Sequence, residues 1–319
     1  MADQRLDRNP INLMPALLKA GDRVRFVSPA STPDKEAVFH AAAILESWDL
    51  VVEIGHHAFK EYGFLAGRDE HRLADVNDAL RDPSIRAIFA TRGGKGSYRI
   101  ADKLDFGAVR ADPKFLIGFS DITILHLVLW DRCKLVGVHG ALFGVGAKLR
   151  NETSDALRGA LMSAEPIVLH ARPEEQTSAL TRGGQASGTL LGGNLDMIAT
   201  ASGWALPDLT GALLLVEAVN MGLGQVDRAL TMLVNSGHLK GLNGVAVGQF
   251  TGFNSHGDWS VIDVLRHHFT GLDVPVLGGL PIGHGSLPRT VLVGAMVHMD
   301  ASDGTLVLTA NEAAGAGAG

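Results

Sequence analysis

The sequence is poor in cysteine, in aromatic residues and in positive charge. Its single cysteine, Cys133, excludes an internal disulfide framework and the paired-cysteine clusters of structural zinc sites. Lysine and arginine number 28 against 34 acidic residues, and no basic block indicates binding to a nucleic-acid polymer. No apolar run approaches the ~20 residues that cross a bilayer, and the N-terminus lacks a signal-peptide pattern. These absences favour a cytoplasmic protein with no membrane partner.

Glycine, in contrast, is abundant. It accounts for 39 of 319 residues, whereas the usual share is about 7%. The glycines are not periodic and prolines number only 12, which excludes collagen and low-complexity chains. Outside 313–319, which we predict to be a flexible tail, many glycines stand where apolar runs end. Because glycine permits positive φ and close backbone approach, we expect a site built partly from main chain.

The chain is organised as an α/β protein. Short apolar runs alternate with amphipathic segments in the first half, which predicts a parallel sheet joined by right-handed crossovers. We predict an N-terminal α/β domain over 1–165, a linker or edge segment over 166–185, and a C-terminal domain over 186–312. Near the end, 291–299 and 305–309 are predicted to be two antiparallel strands around an Asp-Gly turn.

A serine follows one of these apolar runs at a predicted strand-to-helix turn. The run 115–119 leads through Gly118 to Ser120, and an apolar helix is predicted over 121–130. A serine there would lie beside free backbone N–H groups that could stabilise an oxyanion. The alternative is that Ser120 caps the helix, the commoner role for this motif alone. The second glycine of a Gly-x-Ser-x-Gly motif is also absent, because Ile122 stands in its place.

Two residues of the second half could complete a catalytic triad with Ser120. Glu217 closes the buried run 213–216 and could orient a histidine, although an ordinary strand end is the alternative. His284 lies between Gly283 and Gly285, where a ligand could approach closely, although it is one of 13 histidines. A serine needs a base to take its proton, and the base needs an acid to fix its tautomer. The site would then lie in the cleft between the two domains.

Motifs for nucleotides and metals are absent or incomplete. The pair Gly94-Lys95 fails as a phosphate-binding loop, because Phe89 and Gly96 occupy the positions of its first glycine and its Ser/Thr. No Gly-x-Gly-x-x-Gly motif opens the first strand–helix unit. The adjacent histidine pairs at 56–57 and 267–268 do not converge on a metal if they are helical.

Read in order, several motifs resemble one family, the LD-carboxypeptidases of serine peptidase family S66. It includes murein tetrapeptide carboxypeptidases and microcin C self-immunity peptidases. The motifs are VSPAS at 27–31, FLAGRDE at 64–70, RGGKG at 92–96, GFSD at 118–121, GGNL at 192–195, LVE at 215–217, VDR at 226–228 and PIGHG at 281–285. No single motif is decisive, but together they span nearly the whole chain.

The resemblance implies a role for each candidate residue. It assigns Ser120 as nucleophile, His284 as general base and Glu217 as its orienter. The oxyanion hole would be formed by the backbone N–H groups of Gly94 (or Gly93) and Asp121.

It also implies the fold and the partners. We expect a parallel-sheet N-terminal domain, a smaller swivelling C-terminal β/α domain, a homodimer, and no metal or cofactor. The implied reaction releases a terminal D-alanine from cytoplasmic muropeptides during peptidoglycan recycling. The immunity branch instead cleaves the amide between an aminoacyl group and a nucleotide-like phosphoramidate.

The chain departs from the family pattern at positions expected to bind substrate. Lys95 stands where the family usually has tyrosine, and it could contact an anion or remain solvated. The loop 218–224, which includes Asn220, lacks the usual prolines, and His139 lacks the usual Pro-Met two residues on. We name Lys95, His139, Asn194 and Asn220 as candidate substrate-binding residues. Three functions remain open: muropeptide carboxypeptidase, hydrolase of a small amide antibiotic or metabolite, and inactive binding homologue.

Overall fold

The computed structural model describes residues 12–140, 142, 151–285 and 287–309. The predicted tail at 313–319 and the first eleven residues lie outside this part of the chain. Thirteen strands are described: β1 (Arg23–Val27), β2 (Val51–Ile54), β3 (Ile85–Ala90), β4 (Phe115–Gly118), β5 (Gly137–His139), β6 (Ile167–His170), β7 (Gln185–Asn194), β8 (Leu213–Val219), β9 (Gly244–Thr251), β10 (Val276–Leu277), β11 (Val291–Val293), β12 (Met296–Asp300) and β13 (Thr305–Leu308).

Eight α-helices are described in the same residues, and short 3-10 turns supplement them. The helices are α1 (Lys35–Glu46), α2 (Asp69–Arg81), α3 (Phe106–Ala111), α4 (Thr123–Cys133), α5 (Asn151–Met162), α6 (Leu195–Ala201), α7 (Leu223–Asn235) and α8 (Val261–Thr270). Local signals explain several of their ends. Asp34 caps α1 by accepting a hydrogen bond from the Ala37 N–H at 2.9 Å. Ser260 and Asp263 form a capping box at the start of α8.

The first sheet has the strand order β11-β5-β4-β3-β1-β2. The strands β1 to β5 pair in parallel, and β4 and β5 are buried along their whole length. Strands buried on both faces are typical of parallel sheets covered by helices. The carboxyl ends of β3, β4 and β5 therefore meet at one edge, where the glycine-rich loops follow.

The second sheet has the strand order β10-β9-β8-β7-β12-β13-β6 and is mixed. Its strands β7 to β10 pair in parallel, and β12, β13 and β6 add antiparallel pairs. The interval 166–185 carries the edge strand β6 and a 3-10 turn, Gln176–Leu180. The predicted α/β class is confirmed, with a parallel-rich first sheet and a second mixed one.

The predicted strand over 291–299 is wrong as a single element, although the predicted hairpin that follows it is present. The chain turns at Gly294, whose φ is 93°, and a β-carbon there would lie 2.7 Å from the Trp130 ring. The part before the turn, β11, pairs with β5 of the first sheet, and β12 pairs with β7 and β13 of the second. A contiguous apolar pattern does not reveal that its two halves have different partners.

Helix α4 packs against α6 and β7 of the second half of the chain. The Thr123 hydroxyl at its start accepts a hydrogen bond from the Asn194 N–H at 3.0 Å. The two sheets are thus joined directly beside the turn that carries Ser120.

Over the residues that the structure describes, no helix has the length and apolar character needed to span a membrane.

Candidate active site

Ser120 lies in a strained turn between β4 and α4. Its φ is 62°, a left-handed conformation that residues other than glycine rarely adopt. At Gly118 a β-carbon would lie 2.9 Å from the Ile122 side chain, so the tight turn requires glycine there. The helix begins only at Thr123, with Ile122 at its N-cap, so Ser120 is not its capping residue. A strained strand-to-helix turn is how several hydrolase folds expose a nucleophile at a sheet edge.

Glu217 and His284 form a buried acid–base pair. Glu217 lies in β8 with no exposed surface, beside an irregularity in the pairing of β8 with β9. The Glu217 Oε2 accepts a hydrogen bond from His284 Nδ1 at 2.7 Å, and its Oε1 accepts one from Asn194 Nδ2 at 3.0 Å. A carboxylate only accepts, so the bond requires the proton on Nδ1 and leaves the Nε2 lone pair free. A histidine in this tautomer can act as a general base.

The Glu217–His284 pair contacts the turn that carries Ser120 through the ring of Phe119. The Phe119 and His284 rings lie 4.8 Å apart between centroids, at an interplanar angle of 49°. Phe119 directly precedes Ser120, so the Glu217–His284 pair, which comes from the second half of the chain, lies next to the turn that carries the predicted nucleophile. No hydrogen bond between Ser120 and His284 is present among the described residues. Such contacts are often long in enzymes without substrate and shorten in the Michaelis complex.

The glycine-rich loop after β3 lies against the serine turn. At Gly93 a β-carbon would stand 2.9 Å from Ser120 Cβ and 3.3 Å from the Asp121 backbone nitrogen. Gly94 has a φ of 105° and packs against Ser31, whose hydroxyl accepts a hydrogen bond from the Lys95 N–H at 3.0 Å. Of the two predicted loop glycines, Gly93 is therefore the one that touches both Ser120 and Asp121.

Asp121 anchors this region through its side chain. The buried carboxylate accepts a hydrogen bond from the Ser97 N–H at 2.8 Å, and the Asp121 carbonyl accepts one from the Ser97 hydroxyl at 2.6 Å. Burial raises the pKa of the Asp121 carboxyl, and the bonds from Ser97 act in the opposite direction. The Asp121 N–H belongs to the first turn of a helical segment, where N–H groups have no acceptor within the helix. An N–H group in this position is a candidate donor to a developing negative charge.

Two of the predicted substrate-binding residues lie beneath the site. Asn194 is 7% exposed and holds Glu217, as described above. His139 is 1% exposed, and neither ring nitrogen has a partner among the residues that the structure describes. Burial lowers the pKa of His139 to about 4; the Glu217 carboxylate opposes this shift and His284 adds to it. His139 is therefore a neutral imidazole next to the acid–base pair.

The other two predicted substrate-binding residues, Lys95 and Asn220, are exposed. Lys95 lies in the loop that also carries Gly93. Asn220 has a φ of 52° at the end of β8, and its N–H donates to the Thr251 carbonyl at 2.9 Å. Its side chain packs where Gly252 lacks a β-carbon. These two residues are accessible from solvent, whereas Asn194 and His139 are buried.

Sequence reasoning missed Thr123 and Gln249. Thr123 is fully buried and binds the Asn194 backbone N–H, and Gln249 is 2% exposed and binds the Gly285 N–H at 2.7 Å. The signal for Gln249 was a polar residue inside the apolar strand β9.

Among the described residues, no group of three or more His, Cys, Asp or Glu side chains is arranged to hold a metal ion.

Comparison with known proteins identifies the family. A family model described as the LD-carboxypeptidase N-terminal domain matches residues 24–140, and one described as the C-terminal domain matches 187–299. A probable murein peptide carboxypeptidase of Bacillus subtilis is 33% identical over 96% of this chain and 97% of its own length.

Solved structures share the fold. A muramoyltetrapeptide carboxypeptidase from Oxalobacter formigenes has a TM-score of 0.79 at 25% identity, covering 90% of this chain and 97% of its own. The microcin C7 self-immunity protein MccF in its wild-type apo state has a TM-score of 0.84 at 22% identity, covering 95% of this chain and 100% of its own. MccF has also been solved in complex with aspartyl sulfamoyl adenosine. The chain belongs to the LD-carboxypeptidase family, the S66 serine peptidases, and is an enzyme of that family.

Proposed function

We propose that this protein hydrolyses the amide bond next to a terminal carboxylate, releasing D-alanine from a murein tetrapeptide by way of an acyl-enzyme. One observation carries the proposal: the buried Glu217–His284 pair lies against Phe119, directly before the strained Ser120 turn. The B. subtilis relative and the O. formigenes structure, both named as carboxypeptidases of murein peptides, support this substrate class.

The reaction follows from the arrangement of these groups. His284 Nε2 takes the proton of the Ser120 hydroxyl as Oγ attacks the carbonyl carbon, and Glu217 stabilises the imidazolium that forms. The backbone N–H groups of Asp121 and of the Gly93–Gly94 loop bind the oxyanion. His284 then gives the proton to the amine of the departing D-alanine. Water, deprotonated by His284, hydrolyses the ester on Ser120 and regenerates the free hydroxyl.

Lys95 is the residue that we assign to the terminal carboxylate. It is exposed on the same loop as Gly93, which touches Ser120, and it carries a charge that an anionic group can pair with. Asn220, which is also exposed, would contact a part of the substrate other than the terminal carboxylate. This assignment leaves the buried Asn194 as a support for Glu217 and gives the buried His139 no contact with substrate.

Replacement of the nucleophile tests the mechanism. We expect Ser120→Ala to reduce release of D-alanine from a murein tetrapeptide by about 10⁴-fold or more, as removal of a triad nucleophile does in other serine peptidases. Ser236→Ala is the matched control, because the Ser236 hydroxyl donates to the local Leu233 carbonyl at the end of α7. Wild-type turnover by Ser120→Ala, with normal folding, would contradict the nucleophile assignment.

A second candidate is hydrolysis of an aminoacyl-nucleotide amide. It is favoured by the exposed Lys95 in a position where the family usually has tyrosine, and by the aspartyl sulfamoyl adenosine complex of MccF. The same purified protein, incubated separately with a murein tetrapeptide and with aspartyl sulfamoyl adenosine, separates the two. Release of D-alanine supports the first function, and release of aspartate without D-alanine supports the second.

A further inference from the structure

Gln249 is a buried polar residue in an otherwise apolar strand. It lies in β9, is 2% exposed, and follows Val245, Ala246 and Val247, which are fully buried. Burying a carboxamide costs free energy unless its donors and acceptors are paired. The Gln249 carboxamide is paired: its oxygen binds the loop that carries His284, and its nitrogen binds a segment that is itself hydrogen-bonded to β9.

Gln249 binds the His284 loop on both sides of the base. Its backbone N–H donates to the Ile282 carbonyl at 2.7 Å, and its side-chain Oε1 accepts from the Gly285 N–H at 2.7 Å. Gly283 fits between these bonds, since a β-carbon there would lie 2.9 Å from Glu217 Oε2 and 3.4 Å from Gln249 Cβ. Gln249 thus holds the main chain on both sides of His284, whose ring binds Glu217.

Glu175 fixes which end of the carboxamide faces the loop. Gln249 Nε2 donates to Glu175 Oε1 at 2.6 Å. Because a carboxylate only accepts hydrogen bonds, the amide nitrogen must face Glu175 and the oxygen must face Gly285. Glu175 precedes a 3-10 turn whose Thr177 hydroxyl donates to the Gly248 carbonyl and accepts from the Gly279 N–H, both at 3.0 Å. The segment 175–177 is therefore hydrogen-bonded both to β9 and to Gly279, which precedes the 282–285 loop that carries His284.

We propose that Gln249 is a positioning residue for the general base, holding the 282–285 loop so that His284 Nδ1 meets Glu217, and that Glu175 sets the polarity of its carboxamide. The activity readouts of this proposal rest on the proposed function. Removal of the Gln249 side chain should lower the rate of the chemical step, because the base is held less firmly. Substrate binding should stay nearly unchanged, because Gln249 touches no reacting atom.

The first test is Gln249→Ala, assayed by D-alanine release from a murein tetrapeptide. We expect kcat to fall about 10- to 100-fold with KM within about twofold of wild type, because His284 is held less firmly against Glu217. The acidic limb of the kcat/KM profile should also move to lower pH, because a loosened carboxylate stabilises the imidazolium less. A kcat and a pH profile equal to those of wild type would overturn the proposal.

A paired exchange tests the polarity. Gln249→Glu alone opposes the Glu175 carboxylate, and we expect at least a tenfold loss of kcat. Adding Glu175→Gln restores a donor to one oxygen of the new carboxylate while the other accepts from the Gly285 N–H. We expect the double variant to recover to within about threefold of wild type. A folded double variant that is no more active than Gln249→Glu would overturn the proposal.

A matched control separates positioning from loss of stability. Asn77 is also a buried carboxamide, whose Nδ2 donates to the Lys103 carbonyl at 3.2 Å and whose Oδ1 accepts from the Asp105 N–H at 2.8 Å. We expect Asn77→Ala to lose stability like Gln249→Ala and to keep wild-type kcat. If both variants lose the same kcat, Gln249 is only structural and the proposal fails.

A readout without turnover distinguishes failure of this proposal from failure of the proposed function. In Gln249→Ala we expect the Gly285 amide to exchange with deuterium at least tenfold faster than in wild type, with no such change in Asn77→Ala. If wild type releases no D-alanine, the proposed substrate is wrong, and amide exchange still tests the positioning. Unchanged protection of the Gly285 amide would overturn it.

Discussion

At the scale of single residues, each carboxylate oxygen of Glu217 accepts a hydrogen bond. Oε2 binds His284 and Oε1 binds the Asn194 side chain, in a place with no exposed surface. Without the Asn194 amide, a buried carboxylate oxygen would lose its partner, at a cost of about 1–3 kcal/mol. Asn194, which the sequence analysis names as a candidate substrate contact, therefore lies where it can orient the proposed triad acid.

This arrangement predicts the kinetics of Asn194→Ala. We expect kcat on a murein tetrapeptide to fall about tenfold while KM stays within about twofold, because the lost bond supports Glu217 and not the substrate. Steady-state kinetics measure both constants, and Asn243→Ala serves as a control, since the exposed Asn243 amide binds the Ser187 carbonyl. A rise in KM at constant kcat would instead show that Asn194 binds substrate.

At the scale of the elements, the loop at the carboxyl end of β3 leaves no room for a side chain at Gly93. Gly93 has ordinary φ, so its requirement is steric: a β-carbon there would stand 2.9 Å from Ser120 Cβ and 3.2 Å from its Oγ. Real β-carbons essentially never have a non-bonded neighbour within 3.0 Å, so either the loop or the serine turn must shift. A shift of either one would displace the N–H groups that we propose bind the oxyanion.

Gly93→Ala is therefore expected to fold and to lose at least about 100-fold in kcat, comparable to the loss of an oxyanion donor. Circular dichroism and steady-state kinetics check the two halves of this prediction. Gly159→Ala is the matched control, because Gly159 is an exposed residue of α5 with open space around it. That change should leave kcat unaltered and stabilise the helix by up to about 1 kcal/mol. Full activity in Gly93→Ala would remove this loop from the mechanism.

Local pattern predicted elements better than it predicted their partners. The strand–turn–helix unit around Ser120 was readable from an apolar run, a glycine and a second apolar run. The helix was predicted from 121, but α4 begins at Thr123 because a 3-10 turn, Ser120–Ile122, comes first. The run 291–299 was predicted as one strand, and Gly294 divides it between two sheets. Hydrogen bonds such as that from the Gly285 N–H to the Gln249 side-chain oxygen depend on tertiary packing, which sequence spacing does not encode.

At the scale of the whole molecule, the site exists because the two halves of the chain interlock. The strand β11 returns to the first sheet and pairs with β5 by way of His139, and Asn194 binds Thr123 at the start of α4. These contacts enclose two histidines, His126 and His139, that the proposed reaction does not use. His126 Nε2 lies 3.1 Å from the Leu116 carbonyl, and its Nδ1 has no partner in the described chain.

Both histidines link folding to pH. Burial lowers the pKa of His126 to about 3 and that of His139 to about 4, from an ordinary value of 6.5. Between pH 6.5 and about 4 the unfolded chain binds these protons and the folded chain does not, so acidification favours unfolding. Above pH 6.5 neither state is charged and the stability is fully present. The raised pKa of Asp121 acts in the opposite direction and offsets part of the loss.

Replacing His126 should therefore flatten the acid dependence of stability. Each histidine contributes a slope of about 1 kcal/mol per pH unit below pH 6, because one pKa unit corresponds to about 1.4 kcal/mol. In His126→Gln, whose amide can still donate to the Leu116 carbonyl, we expect the free energy of unfolding to fall less steeply between pH 6 and 5 by about that amount. Urea unfolding at each pH measures the slope, and His40→Gln, at an exposed site on α1, should keep the wild-type value. An unchanged slope in His126→Gln would mean that His126 binds its proton equally in both states, contrary to the burial that this fold imposes on it.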